Sequence, residues 1–107
     1  YDALLKSGQE YKTFVTEDIK KRYSAMLKKG ATTFWETEKG AEDFNNAGSL
    51  CHGWSAMPVY FYYAYGLGVR PVKPGFARTA DAARRMDGCY GSVPTPEGMI
   101  HVEKKAK

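Results

Sequence analysis

At 107 residues, with 43% hydrophobic and 26% charged residues, the chain has the size and composition of one globular domain, which disfavours intrinsic disorder. No apolar run approaches the roughly 20 residues needed to cross a bilayer, and no signal-peptide pattern opens the chain. The net charge of +4 comes from 16 basic and 12 acidic residues. The basic residues sit in short clusters mixed with acids rather than in one stripe, so a solvated surface is expected and nucleic acid is not an expected partner.

The chain opens on Tyr1 rather than Met, which reads as a piece cut or processed from something longer. A short helix is expected over residues 2–6, ending near Gly8. A longer one should follow over "TEDIKKRYSAMLKK", residues 16–29. There Ile19, Tyr23, Met26 and Leu27 form a helical stripe. Thr16 is its candidate N-cap, Glu17 and Asp18 suit the positive end, Lys28 and Lys29 suit the negative end, and Gly30 is the C′ stop.

Residues 30–50 show no period and carry Gly30, Gly40, Asn45, Asn46 and Gly48, so a long loop is expected, a kind that is either functional or disordered. A third helix should run from about Ser55 to Leu67, with Pro58 tolerated in its first turn. Tyr60, Phe61, Tyr62, Tyr63 and Tyr65 crowd into it. A helix this apolar on every side needs cover on every side, more than one amphipathic helix can give. After "GVRPVKPG" the pattern turns to short strands. "FARTA" is one candidate run. In "GCYGSVPTPEGMIHVEK", Ile100 and Val102 alternate with His101 and Glu103 as in a half-buried strand, and "PTPEG" supplies the hairpin connection. Pro94 and Pro96 confine the preceding strand to an edge. The lysine-rich C-terminus reads as a frayed tail.

Few residues offer chemistry. Glu36, beside Trp35 in "TTFWETEKG", is a carboxylate in a Gly-bounded loop, placed as a general base would be, with a ring face suited to the C–H face of a sugar. The bland reading is a surface glutamate beside an aromatic that anchors the loop. His52 and Trp54 of "SLCHGWSAMP" have the same ambiguity. The histidine can hydrogen-bond a ligand hydroxyl or simply donate to the backbone. The tryptophan can stack on a ligand or pack in a core, and one turn into an apolar helix a core position is the default. Glu38 lies two residues from Glu36 without making a convincing carboxylate pair. Cys51 and Cys89 fit no metal spacing and read as buried free thiols. No phosphate-cradling loop, zinc spacing or nucleophile elbow is present, so neither cofactor nor metal is expected.

Three segments in order, "GATTFWE", "SLCHGWSAMPVYFYYAYGLGVRPVKPGF" and "GSVPTPEGMIHVE", resemble the C-terminal part of bacterial α-L-rhamnosidases of glycoside hydrolase family 78. The likeness spans about residues 15–103. It implies a mainly α fold with a small β part. Residues 1–70 would be the last helices of an (α/α)6 barrel and residues 71–107 part of a C-terminal antiparallel β-sandwich. It further implies an inverting glycoside hydrolase acting on a terminal rhamnoside. Glu36 would be the general base, His52 a sugar contact, and Trp35 and Trp54 would shape the pocket. The family's general acid lies upstream, in an Asp- and Arg-containing motif ending in Glu. "DAARRM", residues 81–86, has no such glutamate and follows Glu36 rather than preceding it. The chain would therefore hold half of the catalytic pair and be inactive alone. Its partners would be the rest of a parent chain and a rhamnoside-type carbohydrate, and the isolated piece would tend to self-associate. A non-catalytic carbohydrate-binding or interaction module derived from the same family is the competing expectation. The compartment is left open.

Overall fold

The structure, a computed structural model, describes residues 1–76 and 85–103. Within them the protein is mainly helical, with four helices and one two-stranded antiparallel sheet. No helix among the described residues is long and apolar enough to cross a membrane. The chain divides into two compact units, Tyr1–Pro58 and Val59–Lys107. "FARTA" beyond Phe76, most of "DAARRM" and the lysine tail lie outside the described residues.

In the first unit, helix α1 (Asp2–Ser7) buries Leu5 and carries a Lys6–Asp2 ion pair at 2.5 Å. Helix α2 spans Tyr11–Lys28, five residues longer at its start than the sequence suggests. Thr16 is therefore interior, and the residue before the first turn, Glu10, makes no side-chain cap. Burial decides the start instead. Val15, 1% exposed, extends the stripe one turn upward through Ile19 and Tyr23 to Met26, while Leu27 falls off it and is exposed. The C-terminus ends as expected. Gly30 takes φ 86°, its N–H donates to the Leu27 carbonyl at 2.9 Å, and the Ala31 N–H reaches the Met26 carbonyl at 3.1 Å. That pair of bonds is a Schellman motif closing the last carbonyls.

The expected loop follows. Its regular pieces are a 3₁₀ turn, Gly40–Glu42, and the one-turn segment α3, Asp43–Asn46. Within α3 and at its end, Phe44, Asn45 and Asn46 have φ of 51°, 59° and 66°. Asparagine tolerates this left-handed region, whereas for Phe44 it costs about 1–2 kcal/mol. The helix expected from Ser55 is a composite: a 3₁₀ turn Gly53–Ala56, then α4 (Met57–Phe61), then a π turn Tyr62–Gly66. Pro58 sits in the first turn of α4, where its missing N–H leaves no bond unmade.

In the second unit, Phe61, Ala64 and Tyr65 of this run are buried, whereas Val59, Tyr60 and Tyr62 are exposed. Strands β1 (Tyr90–Thr95) and β2 (Gly98–Glu103) pair with Val93 opposite Ile100 and Thr95 opposite Gly98. The turn falls on Pro96 and Glu97, as "PTPEG" implies. Among the described residues these are the two strands of the sheet, so both are edges and Pro94 breaks no inner ladder. Val93 and Val102 pack on Leu67 and Val69 to form the core, with Tyr63, Phe76, Cys89 and Ile100 partly buried around it. His101 and Glu103 face outward as the alternation requires.

Candidate functional site

Two extended segments of the first unit meet. Glu36 donates its N–H to the Ser49 carbonyl at 2.9 Å, and His52 donates its N–H to the Phe34 carbonyl at 2.7 Å. Thr33 adds a hydroxyl bond to the Leu50 carbonyl. Neither segment forms a regular strand, yet these bonds run residues 33–36 antiparallel to 49–52. "TTFWE" and "SLCHGW" are thus neighbours in space.

The pairing brings Glu36 and His52 together. The Ser49 N–H donates to Glu36 Oε2 at 3.2 Å, so backbone and side chain of Glu36 are both held by one residue. Glu36 Oε1 lies 3.8 Å from His52 Nε2. That is ion-pair range if the ring is protonated. It is too long for a direct hydrogen bond and is the kind of gap a bridging water spans. Both side chains are about one-third exposed, so solvent reaches the pair. The His52 Nδ1 is buried and has no hydrogen-bond partner among the described residues. Glu38 is not a second carboxylate for Glu36. Its carboxylate pairs with Arg22 at 3.0 Å, and its carbonyl accepts from Lys29 Nζ at 2.9 Å, both tethering the loop to α2.

The two tryptophans differ. Trp35 is half-buried and covers Gly40: a Cβ there would lie 2.6 Å from its ring. Trp54, for which a core position is the default expectation, is 86% exposed. It lies in the 3₁₀ turn that precedes α4, outside the buried stripe, and meets the His52 ring edge-on at 5.4 Å between centroids. A groove of about 420 Å³ opens between the end of α2 and these segments, walled by Tyr23, Met26, Leu27, Phe34, Cys51 and His52, with Glu36 outside its walls. The Tyr23 hydroxyl ties the far side down through the Ser55 carbonyl at 2.6 Å.

Both cysteines are free thiols, but Cys51 is exposed rather than buried because it lies on the rim of this groove. No cluster of three or more metal-ligating side chains occurs among the described residues. Chemically, the arrangement offers one solvated carboxylate with an oxygen anchored on a backbone amide, an imidazole beside it, and an exposed indole next to that imidazole. Ser49 is the residue that sequence reasoning missed. It acts through its backbone, which leaves no signature in residue type. No protein-family model, curated protein or solved structure matches this chain.

Proposed function

We propose that the chain is the C-terminal part of an inverting α-L-rhamnosidase-like glycoside hydrolase, in which Glu36 is the general base. The observation that supports this reading is the meeting of residues 33–36 with 49–52, which sets the Glu36 carboxylate 3.8 Å from the His52 imidazole. In the proposed reaction Glu36 takes a proton from water as its oxygen attacks the anomeric carbon. The leaving oxygen is protonated by an acid elsewhere in the enzyme, and configuration inverts. Such a pair needs about 6.5–9.5 Å between carboxyls to admit the water. His52 would hold a sugar hydroxyl, and the open face of Trp54 would stack on the C–H face of the ring. The helices would close an (α/α)6 toroid, whose remaining helices would cover exposed Val59, Tyr60 and Tyr62. The hairpin would belong to a β-sandwich.

The test is Glu36→Gln in an enzyme containing this chain, assayed on an aryl α-L-rhamnoside. The kcat should fall by about 10²–10⁴-fold with the thermal midpoint unchanged. Retained turnover removes Glu36 from the role.

A second reading, a non-catalytic carbohydrate-binding module, is favoured by the 86% exposure of Trp54 beside His52. It expects this chain alone to bind rhamnose or a rhamnoside by calorimetry without cleaving it, and Trp54→Ala to weaken that binding by about 1–2 kcal/mol.

A further inference from the structure

The loop of residues 37–48 leaves and returns at one place, the Glu36–Ser49 backbone pair, which is the closed-ended geometry of an Ω-loop. The closure depends on a contact at its foot. A Cβ on Gly48 would lie 1.9 Å from the Gly40 carbonyl oxygen and 3.0 Å from its carbon. The two lengths of backbone therefore cross with no space for any side chain, and backbone cannot swing aside as a side-chain tip can. The next residue is Ser49, whose N–H holds Glu36 Oε2. Midway along the loop, Phe44 takes a left-handed conformation against its local preference. Closure at the foot is imposed by the crossing and the end-to-end bonds.

We propose that Gly48 is a positioning residue: by letting the chain cross beneath the Gly40 carbonyl it sets the Ser49 N–H against the Glu36 carboxylate, so that residues 37–48 hold or release Glu36 as one unit. The positional statement stands on this chain's own contacts, and its effect on turnover rests on the glycosidase reading above.

Gly48→Ala forces the crossing apart. Hydrogen exchange at the Ser49 amide should accelerate about tenfold or more, through easier local opening. In an enzyme containing this chain kcat should fall about 100-fold, with KM little changed. Gly53→Ala, where a Cβ meets nothing within 4 Å, should leave Ser49 exchange unaltered and serves as the control for that readout. Unchanged Ser49 exchange in Gly48→Ala overturns the proposal. If that variant does not fold, the unaltered chain decides: slow Ser49 exchange upholds a closed loop, and exchange at the rate of an open coil overturns it. Accelerated exchange in an enzyme indifferent to Glu36→Gln upholds the positioning and sinks the glycosidase assignment alone.

Discussion

The two units are held together by different means. Among the described residues, the first unit buries three apolar side chains, Leu5, Val15 and Met26, whereas the second buries seven, from Phe61 to Val102. The first compensates with directed contacts: the Schellman end of α2, the Arg22 and Lys29 tethers to Glu38, and the backbone bonds between residues 33–36 and 49–52. Hydrogen bonds each add only about 0.5–1.5 kcal/mol net, and exposed ion pairs less, so such a region opens at lower free energy than an apolar core. The candidate site stands on the region that depends on geometry, and the hairpin on the region that depends on burial.

The largest expected effect tests that contrast directly. Leu67→Ala, at a fully buried position in the second unit, should cost about 2–5 kcal/mol in denaturant unfolding. Leu50→Ala, at a 44% exposed position in the first, should cost less than about 1 kcal/mol. Equal costs would erase the distinction. A smaller effect of opposite sign is expected in the loop. Phe44→Gly places glycine at φ 51°, and relief of the left-handed strain should stabilise the first unit by about 1 kcal/mol, read as a higher denaturant midpoint.

The smallest effect is a shallow acid slope. Asp43 is held below the usual carboxylate range by the Thr37 hydroxyl, then by the Phe44 N–H, against some desolvation. Asp18 is lowered by the Tyr1 hydroxyl and then by Arg22. Both carboxyls titrate lower folded than unfolded, so their contribution is present above about pH 4, the unfolded value, and is lost as pH falls through the folded values. Hydrogen exchange between pH 5 and pH 2 should show residues 43–47 loosening, and Asp43→Asn should flatten that response. A slope unaltered by the substitution would assign the acid limb elsewhere.

Much of the fold is legible because its signals are local. Ile100 and Val102 alternate, Pro96 and Glu97 interrupt, and a hairpin follows. Gly30 ends α2 because only the residue after the last turn must turn left-handed there. The start of α2 is less legible, since Val15 is drawn into the helix by burial and no capping side chain marks the place. The site is partly legible. Resemblance singles out Glu36 and His52, and the structure brings them together. The bonds that do so join backbone groups 13 to 18 positions apart and are indifferent to side-chain type. Phe44 carries no hint of its left-handed conformation, because phenylalanine has no preference for it. Trp54 looks like core when its neighbours are apolar, but the 3₁₀ turn carries it out of the stripe.

The π turn of residues 62–66 has a consequence of its own. The Leu67 N–H reaches back five residues to the Tyr62 carbonyl at 2.8 Å, so this stretch holds one residue more than an α ladder would use. If the ladder were made regular with every residue kept, that extra residue would have to be wound into the α helix. Everything downstream would then rotate by about 100° about the helix axis. Leu67 would swing off Val93 and Val102. The π turn thus works as a phase-setter between an aromatic helix and the hairpin it supports, because its wider turn takes up the spare residue.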